Sequence, residues 1–173
     1  MQSRLLHNLI LALVVAGLAL FLLFKPEKAG PQKHRLSQLQ ASAVTRLTLE
    51  PANRAAIVLE KQGGDWRVSA PFPARADANR VMGALEILQA QSETRLPAKE
   101  LGKFELDKPF ARLIVKQEAN EQAFVFGGRQ PVSNEIYVAT GGHVYLVSST
   151  YLMDVVRGPG DFASKNLLAE EES

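Results

Sequence analysis

The chain has 173 residues, no cysteine and a formal net charge of +2, so its length fits one domain with something attached. The missing cysteines exclude disulfides, thiolate metal sites and lipid attachment through a thiol. From residue 36 onward fifteen Lys and Arg stand against seventeen Asp and Glu, which excludes recognition of nucleic acid by bulk charge. The basic excess lies ahead of that part, in Lys25, Lys28, Lys33 and Arg35 against Glu27.

The first predicted element is the run 5–24, uncharged throughout and free of polar side chains and proline from Leu9 onward. Twenty helical residues rise about 30 Å, the thickness of a bilayer's hydrocarbon core. The expectation is a single transmembrane helix: residues 1–24 form a short cytoplasmic tip and an uncleaved signal anchor, touching the bilayer through residues 5–24. The following Lys25-Pro26-Glu27-Lys28-Ala29-Gly30 contains no clear small-x-small cleavage site. Gly17, with Ala12, Ala16 and Ala19, permits close approach of another helix. Read from its flanking charges alone, this anchor places its C-terminal side in the cytoplasm. Residues 25–43, rich in Pro, Gly, Lys, Gln and Ser, are expected to form a flexible basic tether. Solvation explains its charges, and contact with anionic headgroups is the second reading.

Strands follow. Residues 44–49 alternate apolar and polar, and 56–61 form a second strand. Gly63-Gly64-Asp65 is a turn, and 66–69 is the return strand, ended by Pro71 and Pro73. Trp66 lies on that alternating strand with Val68, so it is assigned to the core. Asp77 is a helix N-cap, and Val81, Leu85 and Leu88 follow at helical spacing, giving an amphipathic helix over 77–90. A short edge strand is expected at 94–96, a helical turn at 97–104, and a strand at 112–116 with a turn at 118–121. The strand 123–126 pairs back and ends at Gly127-Gly128. Residues 136–139, the turn Thr140-Gly141-Gly142 and residues 144–147 form a hairpin. Ser148 or Ser149 caps a last helix, stopped at Arg157-Gly158-Pro159-Gly160. The soluble α+β domain is placed at 44–168, with a frayed acidic tail at 169–173. Its architecture is a mainly antiparallel sheet with two or three helices packed on it. The shared order of strand, Gly-Gly turn, strand and helix in 57–68 and 136–147 allows two related units.

No motif for catalysis or for a cofactor emerges. His7, His34 and His143 fall in the membrane segment, the tether and a hairpin, without HExxH-type spacing, so no metal site is expected. There is no Gly-x-Ser-x-Gly elbow, and the Gly-Gly pairs lack the rest of a phosphate loop. Glu50, Glu60, Glu86, Asp107 and Glu135 are expected to be ordinary surface carboxylates. Catalytic, cofactor and metal residues are therefore none, and no binding residue is assigned.

Trp66 and Pro71, then Arg75-Ala76-Asp77 opening a helix, begin a longer pattern. It continues through Phe104-Glu105-Leu106-Asp107-Lys108-Pro109, Phe124-Val125-Phe126-Gly127, Tyr137-Val138, the strand 144–147 and a terminal element at 162–168. In order and spacing, residues 44–168 resemble the domain-of-unknown-function 4340 family. One departure is Glu105, where the familiar form has glycine. The family carries no established activity, so the resemblance supplies no catalytic residue. It implies a membrane-anchored envelope protein of the bacterial cytoplasmic membrane, often encoded beside ABC-type transport or gliding-motility-like components. On that ground the soluble domain is expected in the periplasm, against the basic flank. The leading expectation is a non-catalytic accessory subunit of an ABC-type envelope complex, partnered by a permease or auxiliary subunit. A periplasmic binding module for a glycan, peptide or lipid is the alternative, and an envelope hydrolase working through paired carboxylates comes third.

Overall fold

The structure, a computed structural model, describes residues 2–23 and 32–164. The chain divides into two compact units, residues 1–32 and 33–173. The first contains the helix α1 (Gln2–Leu23), whose 22 residues rise about 33 Å. Between Ile10 and Phe21 its eight large apolar side chains are each more than half exposed. Twelve consecutive helical positions make over three turns, so this apolar surface runs all round the helix. Among the described residues no helix is long and apolar enough to cross a membrane. The unbroken run of described side chains, 10–21, rises only about 18 Å. The flanking parts of the expected span lie outside the described side chains, as do tether residues 24–31 and the tail at 169–173.

The second unit begins with β1 (His34–Arg35), a 3-10 turn (Ala41–Ala43), β2 (Arg46–Pro51), β3 (Ile57–Gln62), β4 (Asp65–Ala70) and β5 (Ala74–Arg75). Next come α2 (Ala78–Leu85) with its 3-10 extension (Glu86–Gln89), β6 (Gln91–Ser92), β7 (Arg95–Pro97) and a 3-10 turn (Leu101–Phe104). The chain continues with β8 (Ala111–Gln117), β9 (Asn120–Arg129), β10 (Glu135–Thr140), β11 (His143–Ser148), α3 (Thr150–Val155) and α4 (Pro159–Phe162). Nine strands form one antiparallel sheet in the order β5-β4-β3-β2-β8-β9-β10-β11-β7, and β1 pairs with β6 apart from it. Two meanders thus lie back to back, joined where β2 meets β8 with Leu47 opposite Val115 and Leu49 opposite Leu113.

Alternation decides which face is buried. Leu47, Leu49, Ile57, Leu59, Leu113, Val115, Phe124, Phe126, Ile136 and Val138 point to one side and are at most 1% exposed. The helices cover that side: α2 packs on β4 and on α3, and α3 lies against β2 and β8. Trp66 is 7% exposed and belongs to this core. Asp77 caps α2 as its sequence position predicts, Oδ1 accepting from the Asn79 N–H at 2.9 Å and the Arg80 N–H at 3.4 Å. Val81, Ala84 and Leu85 fill its inner face, and the end of the expected helix tightens into the 3-10 extension.

Several expectations change. The tether ends sooner than 43: Leu36 and Ser37 are buried, the Leu36 N–H donates to the Ala90 carbonyl at 3.2 Å, and β1 pairs with β6. Leu36 and Leu39 supply apolar anchorage that a count of polar residues overlooks. Gly127-Gly128 does not end a strand but lies inside β9. A Cβ on Gly127 would collide with the Phe104 carbonyl oxygen and sit 2.8 Å from Leu106 Cγ, so these glycines admit a covering loop. Of the two serines expected to cap α3, Ser148 accepts from the Thr150 N–H at 3.4 Å, while Ser149 stands at the N-cap in αR geometry and its hydroxyl donates to Asn134 Oδ1 at 2.7 Å instead of capping. A capping side chain needs an extended backbone to fold back on the first turn. α3 ends at Val155, ahead of Arg157-Gly158-Pro159-Gly160 as expected, and Pro159 then opens the further short helix α4. The two Gly-Gly hairpins are not equivalent: counting outward from the β2–β8 seam, β3–β4 are second and third, whereas β10–β11 are third and fourth.

Candidate functional site

Two surfaces of the second unit stand out. The first is a groove of about 620 Å³ beside β1, on the helix-bearing side of the sheet. Its lining is drawn from five stretches of chain: residues 33–39, Arg95, Gln122, Gly141 and Tyr145. Pairing of β1 with β6 fixes the first stretch, His34 opposite Ser92 and Arg35 opposite Gln91. Gln122 fastens it to the sheet, donating to the Leu36 carbonyl at 2.9 Å and to Thr140 Oγ1 at 2.8 Å, and accepting from the Ser37 hydroxyl at 2.7 Å. Ser92 does similar work below β6, its hydroxyl accepting from the Leu146 N–H at 3.1 Å and the Thr94 N–H at 3.1 Å.

The groove is cationic. Lys33, His34, Arg35 and Arg95 line it, and no Asp or Glu does. Among the described residues, the ion pairs are Arg46–Glu60, Lys103–Glu100 and Arg157–Asp154, so Lys33, Arg35 and Arg95 have no carboxylate partner there. Arg95 lies opposite Tyr145 across β7 and β11 and therefore shares its face. Tyr145 is only 5% exposed, with its ring 6.3 Å from that of His143. Its hydroxyl has no hydrogen-bond partner among the described residues, where no fully buried polar side-chain atom lacks one, so it opens on the groove.

The second surface is the opposite face of the sheet. The loop through Leu101–Phe104 covers its β9–β10 side, where the Phe104 ring packs tilted against Tyr137 with centroids 4.8 Å apart and Leu106 is buried. Toward β3, β2 and β8 the face stays open. Val58, Thr48, Ile114 and Ala123 form one cross-strand row, and Val125 stands on the same face; all are half-buried or exposed. Charged residues flank the row, including Arg46, Glu60 and Lys116 at one end and Glu50 and Arg112 at the other.

The residues singled out in the sequence do not converge. His34 enters the groove, while His143 sits in β11 with Nδ1 3.0 Å from the Gly141 carbonyl. Glu60 pairs with Arg46 at 3.3 Å, Glu135 accepts from the Ser133 hydroxyl at 2.7 Å, and Glu86 and Asp107 are exposed. Glu50 is half-buried on β2. Among the described residues no group of His, Asp and Glu could hold a metal ion. Tyr151, on α3, has its pKa pushed up by burial and, secondarily, by the charge of Glu86. Sequence reasoning missed the groove because its cations come from segments far apart in the chain; the signal available was Lys33-His34-Arg35 directly before an apolar residue.

Fold and surfaces together define an α+β protein with a nine-stranded antiparallel sheet and helices on one face. A family model for a domain of unknown function (DUF4340) matches residues 66–173, and the chain belongs to that family. No curated protein matches the chain, and no solved structure does. The matched segment starts at β4, yet β3 and β2 lie between β4 and β8 in the sheet. The physical domain therefore reaches back beyond the match. Glu105, where the resemblance expects glycine, has φ 54°, the left-handed region that glycine enters without steric cost.

Proposed function

We propose that this protein is a membrane-anchored, non-catalytic accessory subunit of an envelope complex of the ABC-transport type, with its folded unit in the periplasm. What supports the reading is apolar surface left uncovered in both units: the exposed side chains all round α1 and the open row Val58, Thr48, Ile114 on the sheet. A helix apolar on every side needs lipid or protein around it. The sequence 5–24 has the length and composition for lipid. An anchor holding the folded unit beside a membrane partner raises its effective concentration to about the millimolar range, so a modest sheet face suffices for docking. The ABC-type partner comes from the resemblance alone.

The test is a photo-crosslinking amino acid placed at Ile114 of the full chain in native membranes, with placement at the exposed Arg80 of α2 as the control. Alkaline carbonate extraction accompanies it. A protein retained in the membrane pellet, with one permease or auxiliary subunit crosslinked from Ile114 and not from Arg80, supports the proposal. Release by carbonate removes the anchor. Identical adducts from both positions remove the docking face. The groove favours the second reading, a binding module.

A further inference from the structure

Three permanent cations gathered with no ion-pair partner among the described residues repel one another and weaken the fold that holds them. In residues 33–173, where seventeen Lys and Arg stand against seventeen Asp and Glu, a local cluster of this kind points to a negative ligand. The groove has the other marks of a site. Its segment 33–39 is fixed by strand pairing and by Gln122, so the cations are held ready before a ligand arrives. The hydroxyl of the nearly buried Tyr145 adds a donor from the inner wall. Two guanidinium groups offer planar pairs of N–H donors, which match the paired oxygens of a phosphate better than any point charge does. The volume of about 620 Å³ lies within the size of small-ligand sites.

We infer that this groove is an oxyanion site for a phosphate-bearing group of headgroup size, held by Arg35, Arg95 and Lys33 with Tyr145 donating. The source we assign to that phosphate, an anionic phospholipid of the anchoring membrane, rests on the anchor proposed above.

The test uses the full chain in neutral detergent micelles, which does not depend on α1 spanning a bilayer. Calorimetric titrations are run with short-chain phosphatidylglycerol and, separately, with glycerol phosphate. Saturable binding is expected, weakened about tenfold or more by Arg35→Ala/Arg95→Ala and unchanged by the charge-matched Arg80→Ala/Arg129→Ala. Arg35→Lys/Arg95→Lys keeps charge and fold while removing the paired donors, and is expected to weaken binding as well. Binding of phosphatidylglycerol alone supports the lipid source; equal binding of glycerol phosphate supports the same oxyanion site with a soluble source. No saturable binding of either probe, or equal weakening by the Arg80/Arg129 pair, overturns the inference. Carbonate release of the protein from membranes refutes the anchor and leaves the micelle result standing.

Discussion

Gly127 shows how one missing methyl group shapes the far face of the sheet. The loop carrying Phe104 and Leu106 crosses β9 so closely that a Cβ at 127 meets backbone on one side and a buried leucine on the other. Gly127→Ala therefore forces the loop outward and is expected to lower stability by about 2–3 kcal/mol, read as a shifted urea midpoint at constant slope. Tyr151 supplies a second prediction at this scale. Its folded pKa lies above the ordinary value near 10, chiefly because burial disfavours the phenolate. The unfolded chain then loses this proton first as pH rises, which favours unfolding. Stability is expected to hold below about pH 10 and to fall as pH climbs through the folded pKa, with Tyr151→Phe showing a shallower fall in alkaline denaturant titrations.

At the scale of elements, the segment around β1 is tied to the main sheet through one side chain of β9. Gln122 makes three hydrogen bonds, two of them to the segment that precedes β2. Gln122→Ala strands the Ser37 hydroxyl and the Leu36 carbonyl, and is expected to cost about 2–3 kcal/mol. Its particular mark is local: the Leu36 amide, bonded to Ala90, should lose hydrogen-exchange protection well before amides of β8 do. The central strands and α2 were legible because alternation and Asp77 with its i, i+4 and i+8 partners each carry a period. The pair β1–β6 was not, since two-residue strands have none. The glycines of β9 misled for a different reason: a glycine making room for a neighbour and a glycine making a turn look the same in a sequence.

Considered whole, the folded unit is a sheet whose halves differ in how they treat their outer face. The half built from β9 to β11 is covered by the loop through Phe104, and the half built from β2 and β3 is open. The antiparallel architecture with helices on one face could be read from the order of strands and helices. The groove could not, because it exists only once residues 33–39, 95, 122 and 145 have been brought together by the fold. Its charge was visible in the sequence as part of a basic tether, where solvation explained it; strand pairing, not composition, makes it a site.

The seam between β2 and β8 has a consequence for how the chain must be made. Pro51 pairs with Ala111, sixty positions later. The first meander can form as soon as it emerges, but its inner border stays unpaired until β8 arrives. At about 5–20 residues per second of synthesis, that interval lasts about 3–12 s. For those seconds the strand bearing Leu47 and Leu49 presents free backbone donors and acceptors, an invitation to pair with the same border on a neighbouring nascent chain. The seam that makes one sheet of two halves is thus also the point at which two molecules emerging side by side are most at risk of becoming one aggregate.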